Sequence, residues 1–174
     1  MKDTKVISAF PACGKSYFFK NNTEYTCLDS DSSLFSWIVK DGEKIRNPEF
    51  PANYIKHIQE NLGKVDFIFV SSHLQVREAL ENANIDYVTV YPDKSQKEAW
   101  LERMKNRGND ETFLAFQDKN WDDFTSWVDE EPHGSKLYRI NGDEYIDTVI
   151  KDILSKKSPE ISGNFEKNMT TPIR

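Results

Sequence analysis

The run Val-Asp-Phe-Ile-Phe-Val at residues 65–70 constrains the fold of this chain more than any other stretch. It is apolar apart from one aspartate near its start, and Gly63 comes shortly before it. A short continuous apolar run bounded by a turn residue is typical of a strand that is buried on both faces of a parallel sheet. The run therefore predicts a parallel sheet that is covered by helices on both sides.

Other β-type runs alternate with helical patterns along the chain. The runs are residues 6–9, 25–28, 87–91 and 136–140. Helical patterns are predicted over about 16–20, 31–39, 51–62, 74–82, 95–107, 110–129 and 145–154. This alternation predicts the α/β class, as a three-layer sandwich with a five-stranded parallel sheet.

Length and charge limit the domain organisation and the function classes. With 174 residues the chain is close to one typical domain, and we expect that domain over residues 1–156. Residues 157–174 lack periodicity and are predicted to form a flexible tail. A net charge of −6 disfavours a broadly basic nucleic-acid binder, because phosphate contacts need clustered Lys and Arg.

The sequence also indicates a compartment. No stretch approaches the roughly 18 apolar residues that span a membrane, and the apolar run at the N-terminus is too short for a signal peptide. Cys13 and Cys27 do not form a metal-binding pattern. We therefore expect a cytoplasmic protein in a reducing environment, with neither a membrane nor a metal cage.

The octapeptide Ala-Phe-Pro-Ala-Cys-Gly-Lys-Ser at residues 9–16 nearly matches the phosphate-binding pattern G-x-x-x-x-G-K-[ST], with Ala9 in place of the first glycine. In this pattern Gly14 lets the backbone approach phosphate, Lys15 reaches the β- and γ-phosphates, and Ser16 ligates Mg²⁺. A predicted strand before it and a predicted helix after it supply the context that the motif needs. The residues predicted to contact the nucleotide here are Ala12, Cys13, Gly14, Lys15, Ser16 and Tyr17.

Two carboxylates follow the next predicted strand. Asp29 and Asp31 are two residues apart, so in extended chain they point the same way. One would orient Mg²⁺ and the other would accept a proton from an attacking hydroxyl; Asp29 is the predicted metal ligand beside Ser16. Asp31 is also a candidate helix cap.

The order of these motifs resembles the small P-loop kinases of the nucleoside, nucleotide and shikimate kinase group. The segments VTVYPDKSQKEAWLERMKNRG and KLYRINGDEYIDTVIKDIL are similar to that group's lid-helix region and last strand and helix, so the likeness extends over residues 5–154. It implies the P-loop NTPase fold, ATP, Mg²⁺ and transfer of the γ-phosphoryl group. The segments LDSDSS and VSSH resemble bacteriophage-encoded kinases of nucleotide supply or DNA-base modification, which would act in the host cytoplasm.

The resemblance also assigns two arginines. Arg103 and Arg107 would belong to the edge of a short lid, where they clamp phosphates or stack on adenine; Arg107 would be catalytic with Lys15. The alternative is a solvated basic helix face. One departure concerns the third predicted strand, which ends in Ser-Ser-His rather than in the Asp that many P-loop proteins carry there for Mg²⁺.

The acceptor pocket is predicted between the two carboxylates and the end of the third predicted strand. The candidates are Asp31, Ser32, Trp37, Arg46, Ser72 and His73. On the predicted helix 31–39, Trp37 would either join the core or stack on a base. These residues predict a nucleotide-related or other small-molecule acceptor.

A hydroxyl acceptor is favoured, because a carboxylate base suits a hydroxyl, whereas a phosphate nucleophile is already ionised. It would be a nucleoside or a modified DNA base such as hydroxymethyluracil, although the net charge disfavours DNA. Two alternatives remain open: a (deoxy)nucleoside monophosphate kinase and a non-catalytic, regulatory nucleotide-binding module. The oligomeric state also remains open.

Overall fold

The computed structural model of the chain describes residues 1–126 and 136–155. The predicted tail at 157–174 and the last residues of the predicted helix 110–129 lie outside these ranges. Within them, strands and helices alternate as the sequence predicts. In chain order the elements are β1 (Lys5–Ala9), α1 (Lys15–Asn21), β2 (Cys27–Asp29), α2 (Ser33–Ser36), β3 (Trp37–Lys40), β4 (Glu43–Arg46), α3 (Ala52–Asn61), β5 (Phe67–Ser71), α4 (Leu74–Asn82), β6 (Tyr87–Pro92), α5 (Lys97–Asn106), α6 (Glu111–Ser126), β7 (Lys136–Ile140) and α7 (Asp147–Ser155).

Five of the strands form one sheet in the order β2-β5-β1-β6-β7. All four neighbouring pairs in it are parallel. The predicted α/β class with a five-stranded parallel sheet is therefore confirmed. The carboxyl ends of β1, β2 and β5 meet at one edge of this sheet, which is where ligands bind in open α/β folds.

Helices cover the sheet on both faces, because successive strand residues point to opposite sides. In β5, Phe67 and Phe69 belong to one core cluster, and Ile68 and Val70 to the other. The first cluster includes residues of α5, α6 and α7, namely Trp100, Met104, Trp121, Val149, Ile150 and Ile153. The second includes residues of α3 and α4, namely Tyr54, Ile55, Ile58, Val76 and Leu80.

The predicted helix over 31–39 is wrong. The helix α2 ends at Ser36, and Trp37 begins an antiparallel hairpin of β3 and β4. At the hairpin tip, Asp41 and Gly42 both have positive φ, 53° and 82°. A two-residue turn of this kind matches the right-handed twist of two antiparallel strands. Trp37 therefore lies on an exposed ribbon, 36% accessible, and not in the core.

The start of α5 also differs from its prediction. A short 3₁₀ turn, Lys94–Gln96, precedes the helix, and the capping side chain is Asp93, whose Oδ1 accepts from the N–H of Ser95 at 2.9 Å. In the two ranges that the structure describes, no helix is both long and apolar enough to cross a membrane.

Candidate functional site

The loop between β1 and α1, residues 10–14, bends sharply twice. Ala12 has φ 64° and Gly14 has φ 93°. A Cβ at position 14 would lie 2.9 Å from Cδ1 of Tyr145, closer than side chains pack. Glycine is therefore required at position 14 both by the left-handed backbone and by the ring that lies against it.

Hydrogen bonds from outside the loop hold the carbonyl groups of residues 11–13. Trp100 Nε1 donates to the carbonyl of Pro11 at 2.9 Å, and Arg103 Nη1 donates to the carbonyl of Ala12 at 3.3 Å. The backbone N–H of Ile146 donates to the carbonyl of Cys13 at 2.8 Å. Donors from α5 and from the segment before α7 thus fix three consecutive carbonyl groups of this loop.

The amide groups that follow have no such partners. No side chain caps the first turn of α1. Among the described residues, the N–H groups of Gly14, Lys15, Ser16 and Tyr17 have no hydrogen-bond acceptor. Consecutive free N–H groups that follow a left-handed residue form an anion-binding concavity, and the start of a helix adds its positive dipole end. The loop therefore has the backbone geometry of a phosphate cradle.

Lys15 lies over this loop, with its Nζ 3.2 Å from the carbonyl oxygen of Ala9. Burial lowers the pKa of Lys15, and the nearby Arg107 lowers it further. The negative charges of Asp29 and Asp31 oppose that shift. The ammonium group is therefore held at the loop by the Ala9 carbonyl and is within the electrostatic influence of the two predicted carboxylates.

The side chain of Cys13 has no access to a ligand in this cradle. It is fully buried, and its Sγ lies 3.7 Å from the carbonyl oxygen of Val90 in the sheet. Burial raises the pKa of this thiol to about 12. Of the predicted nucleotide contacts, Cys13 therefore contributes its backbone alone.

The two carboxylates flank Ser30, which is held on three sides. Its N–H donates to Phe69 at 2.9 Å, and its carbonyl accepts from the hydroxyl of Tyr54 at 2.6 Å. Its Oγ lies 3.1 Å from Nε2 of His57. Tyr54 and His57 are not among the residues predicted for the site, yet they position the segment that carries Asp29 and Asp31.

Asp31 bonds to the first turn of α2. Its Oδ1 accepts from the N–H of Ser33 at 2.8 Å, although the N-cap position of the helix is Ser32, which makes no side-chain capping bond. The side chain is exposed, as is that of Asp29 at the end of β2. The other oxygen of Asp31 therefore remains available to a ligand.

The charges of Lys15, Arg46 and Asp31 all act on His73. Partial desolvation lowers the pKa of His73, and the positive charges of Lys15 and Arg46 lower it further, while Asp31 opposes them. Arg46 belongs to the hairpin, where it is the cross-strand partner of Trp37. The Cζ atom of Arg46 lies 4.6 Å from the Trp37 ring centroid.

The remaining acceptor candidates contribute less. Ser32 is buried at the start of α2. The carbonyl of Ser72 accepts from Nε of the buried Arg77 at 3.2 Å. Arg77 is therefore turned toward the protein and not toward an acceptor.

The two predicted lid arginines differ from each other. The guanidinium group of Arg103 is sandwiched between the rings of Trp100 and Tyr145, with Cζ 4.1 and 4.0 Å from the two centroids. Neither side of this guanidinium group is left for adenine. Arg103 also does not belong to a solvated basic surface of the helix, which was the alternative prediction. Arg107 is exposed at the end of α5, with Nε 2.8 Å from Oδ1 of Asn109.

The candidate Mg²⁺ ligands are oxygen donors on exposed positions, namely Ser16 and Asp29. In residues 1–126 and 136–155, no group of three or more His, Cys, Asp or Glu side chains could hold a metal by itself. Mg²⁺ commonly keeps several waters and binds through one or two protein groups plus substrate phosphates, so these two residues fit it.

The hydroxyl of Ser71, beside Ala9 in the sheet, is buried without a hydrogen-bond partner among the described residues.

Comparison with models of known protein families gives no match for this chain, and comparison with curated proteins gives none either. The candidate site therefore stands on its own geometry and on the motif in residues 9–16.

Proposed function

We propose that this chain has the P-loop NTPase fold and is an ATP-dependent phosphotransferase. It transfers the γ-phosphoryl group to a nucleotide-related acceptor, preferably to a hydroxyl. One observation carries the proposal. The β1–α1 loop has its carbonyl groups tied to outside donors and its following N–H groups free, with the Lys15 ammonium above them.

The donor side of the reaction uses the loop. The free N–H groups at positions 14–17 bind phosphate oxygens, and Lys15 exchanges its bond to the Ala9 carbonyl for one to the β- and γ-phosphates. Arg107 adds positive charge where the transferred group carries its negative charge. Ser16 and Asp29 would hold Mg²⁺, which would supply neutralisation of the negative charge on the phosphates.

The acceptor side uses the end of β2 and the segment before α4. The acceptor oxygen attacks the γ-phosphorus, its proton passes to Asp31, and ADP leaves with the bond to the β-phosphate oxygen broken. In this proposal His73 and Arg46 would help to bind the acceptor, since the charges of Arg46 and Asp31 both act on His73. A carboxylate in this place supports a hydroxyl acceptor, on a nucleoside or on a modified base such as hydroxymethyluracil in DNA.

A nucleoside monophosphate kinase is less well supported. The acceptor phosphate of such an enzyme needs arginines, and Arg77, one of two that the sequence offers, is buried against Ser72. Of that pair, Arg46 is the one whose charge acts on the acceptor candidate His73. A regulatory nucleotide-binding module has one observation in its favour, which is that Ser71 and Ser72 end β5 where a carboxylate would hold Mg²⁺.

The test is the formation of ADP with a panel of acceptors, namely nucleosides, nucleoside monophosphates and oligonucleotides with or without hydroxymethyluracil. Lys15→Ala and Asp29→Ala are expected to lose activity by about a hundredfold or more. Lys20→Ala is the matched control, because Lys20 is an exposed lysine on the same helix.

The outcomes separate the candidates. ATP binding without any acceptor-dependent turnover above the Lys15→Ala background would mean a regulatory module. Turnover with nucleoside monophosphates alone would mean a nucleotide kinase. If the best acceptor is a nucleoside or an oligonucleotide with hydroxymethyluracil, the group that receives the phosphoryl group is a hydroxyl. If the protein bound neither ATP nor ADP, the proposal would be contradicted altogether.

A further inference from the structure

Arg103 lies at the centre of a contact network that joins three separate parts of the chain. Its Nε and Nη2 donate to the carbonyl of Gly142 at 3.1 and 2.8 Å, and Nη2 also reaches the carbonyls of Asn141 and Glu144. Its Nη1 donates to Ala12 at 3.3 Å. One side chain of α5 therefore ties the β1–α1 loop to the β7–α7 loop, residues 141–146.

Two aromatic rings fix the plane of this guanidinium group. Trp100 and Tyr145 lie on its two faces, and the Tyr145 ring also lies against Gly14. Trp100 is fully buried and donates to the carbonyl of Pro11. The fork of donors is thus held in one orientation, and the residue on each face of it also contacts the β1–α1 loop.

The residue that Arg103 holds has an unfavourable backbone conformation. Ala12 has φ 64°, a region that costs an L-residue with a Cβ roughly 1–2 kcal/mol. Outside contacts must hold such a residue in place, and a bond from a charged donor to its carbonyl is among the stronger ones.

We propose that Arg103 is a positioning residue that sets the shape of the β1–α1 loop for phosphate binding, and that it does not contact the transferred phosphoryl group. The proposal rests on the phosphotransferase function above and assigns Arg103 a different task from that of Arg107. A residue that shapes the cradle affects the affinities for ATP and ADP alike. A residue that contacts the γ-phosphoryl group affects the affinity for ATP and the turnover, but not the affinity for ADP.

The experiment compares Arg103→Lys and Arg103→Ala with Lys105→Ala. Lysine keeps the charge but loses the planar fork and the stacking. Lys105 is an exposed cation two residues along the same helix. For each variant, circular dichroism checks the fold, and equilibrium titration gives the dissociation constants for ADP and for ATP without acceptor.

Arg103→Lys is expected to weaken the binding of ADP and of ATP by the same factor, about tenfold or more, because it removes several hydrogen bonds from a charged donor. Lys105→Ala is expected to leave both constants within about twofold, as an exposed surface substitution does. Loss of ATP affinity with ADP affinity retained would overturn the proposal in favour of a direct γ-phosphoryl contact. Unchanged constants would overturn it too.

A second readout needs no nucleotide. In the ligand-free protein, hydrogen exchange at the backbone amides of Cys13 and Ile146 should accelerate in Arg103→Lys, while exchange along β5 stays the same. Unchanged exchange at both amides contradicts the proposal. If the wild-type protein binds neither ADP nor ATP, the proposed function fails, and this exchange measurement still decides whether Arg103 shapes the loop.

Discussion

The donor side and the acceptor side of the candidate site are built differently. On the donor side, bonds from distant parts of the chain hold the loop at residues 11–13. On the acceptor side, the hairpin β3–β4 is exposed along most of its length, and Val39 is 76% accessible. Contacts between β3 and β4 themselves, such as Trp37 with Arg46, are the main ones on this ribbon.

For the proposed phosphotransferase, this difference predicts how specificity would be divided between the two sides. A cradle with fixed backbone groups suits a constant ligand such as a polyphosphate, because little ordering is needed when it binds. An exposed ribbon with few contacts to the core has low local stability and adjusts to its ligand. We therefore expect changes on the donor side to affect nucleotide affinity strongly, and changes on the acceptor side to affect acceptor use more mildly.

The largest expected effect comes from comparing Gly14→Ala with Gly42→Ala. Both glycines have positive φ, so alanine strains the backbone by roughly 1–2 kcal/mol at either position. Only at position 14 does the new Cβ also meet the Tyr145 ring, whereas nothing lies within 4 Å at position 42. Titration should show ATP affinity reduced by about tenfold or more in Gly14→Ala alone; an equal reduction in both would remove the distinction between the two sides.

Tyr54→Phe should have a smaller effect, which separates the carboxylates from the cradle. It removes the bond from the hydroxyl to the Ser30 carbonyl and costs about 1 kcal/mol of unfolding free energy. Turnover should fall severalfold while the ATP dissociation constant is unchanged. The control is Tyr87→Phe, which removes a similar bond to Glu81 away from the site. A matching fall in turnover in the control would show that general destabilisation is the cause.

Trp37→Ala should raise the KM for the acceptor by about two- to fivefold, because Arg46 loses the ring beneath it. The ATP dissociation constant should not change. Val39→Ala, an exposed position on the same strand, should change neither quantity. If Trp37→Ala weakened ATP binding instead, the hairpin would belong to the donor side.

The smallest effect concerns pH. The pKa of His73 is lowered in the folded protein, so the unfolded chain takes up this proton more readily. The contribution of His73 to stability is therefore present above its ordinary pKa of about 6.5 and is lost as the pH falls below it. Urea unfolding at pH 7.5 and 5.5 should show a slightly smaller loss in His73→Gln than in the wild type. The difference is small because the ring is exposed, and the opposite sign would contradict the assigned environment.

The sequence predicted the sheet and several elements well, because their signals are local. The apolar run at 65–70 and the strand at Lys136–Ile140 need no distant information, and α4 spans Leu74–Asn82 as its periodicity indicates. The motif in residues 9–16 likewise identified the loop. The role of Arg103 was not predictable in this way, since its hydrogen-bond partners lie 38 to 91 residues away in sequence.

The hairpin could have been found. Asp41-Gly42, between the runs Trp37–Lys40 and Glu43–Arg46, is a strong signal for a two-residue turn. The apolar residues also fit helical spacing, and this spacing led to the predicted helix over 31–39. They are Leu34, Phe35, Ile38 and Val39. The β-branched residues at 38 and 39 favoured the strand.

The bonds to the loop at residues 11 and 12 also determine when that loop can be finished. Its supports at Trp100 and Arg103 follow it by 89 and 91 residues, so they are synthesised later than the loop itself. The last of them, Ile146, lies beyond β7. A nascent chain that stops before β7 therefore carries the complete phosphate-binding motif without all the contacts that shape it, and nucleotide binding would report that the whole sheet has assembled.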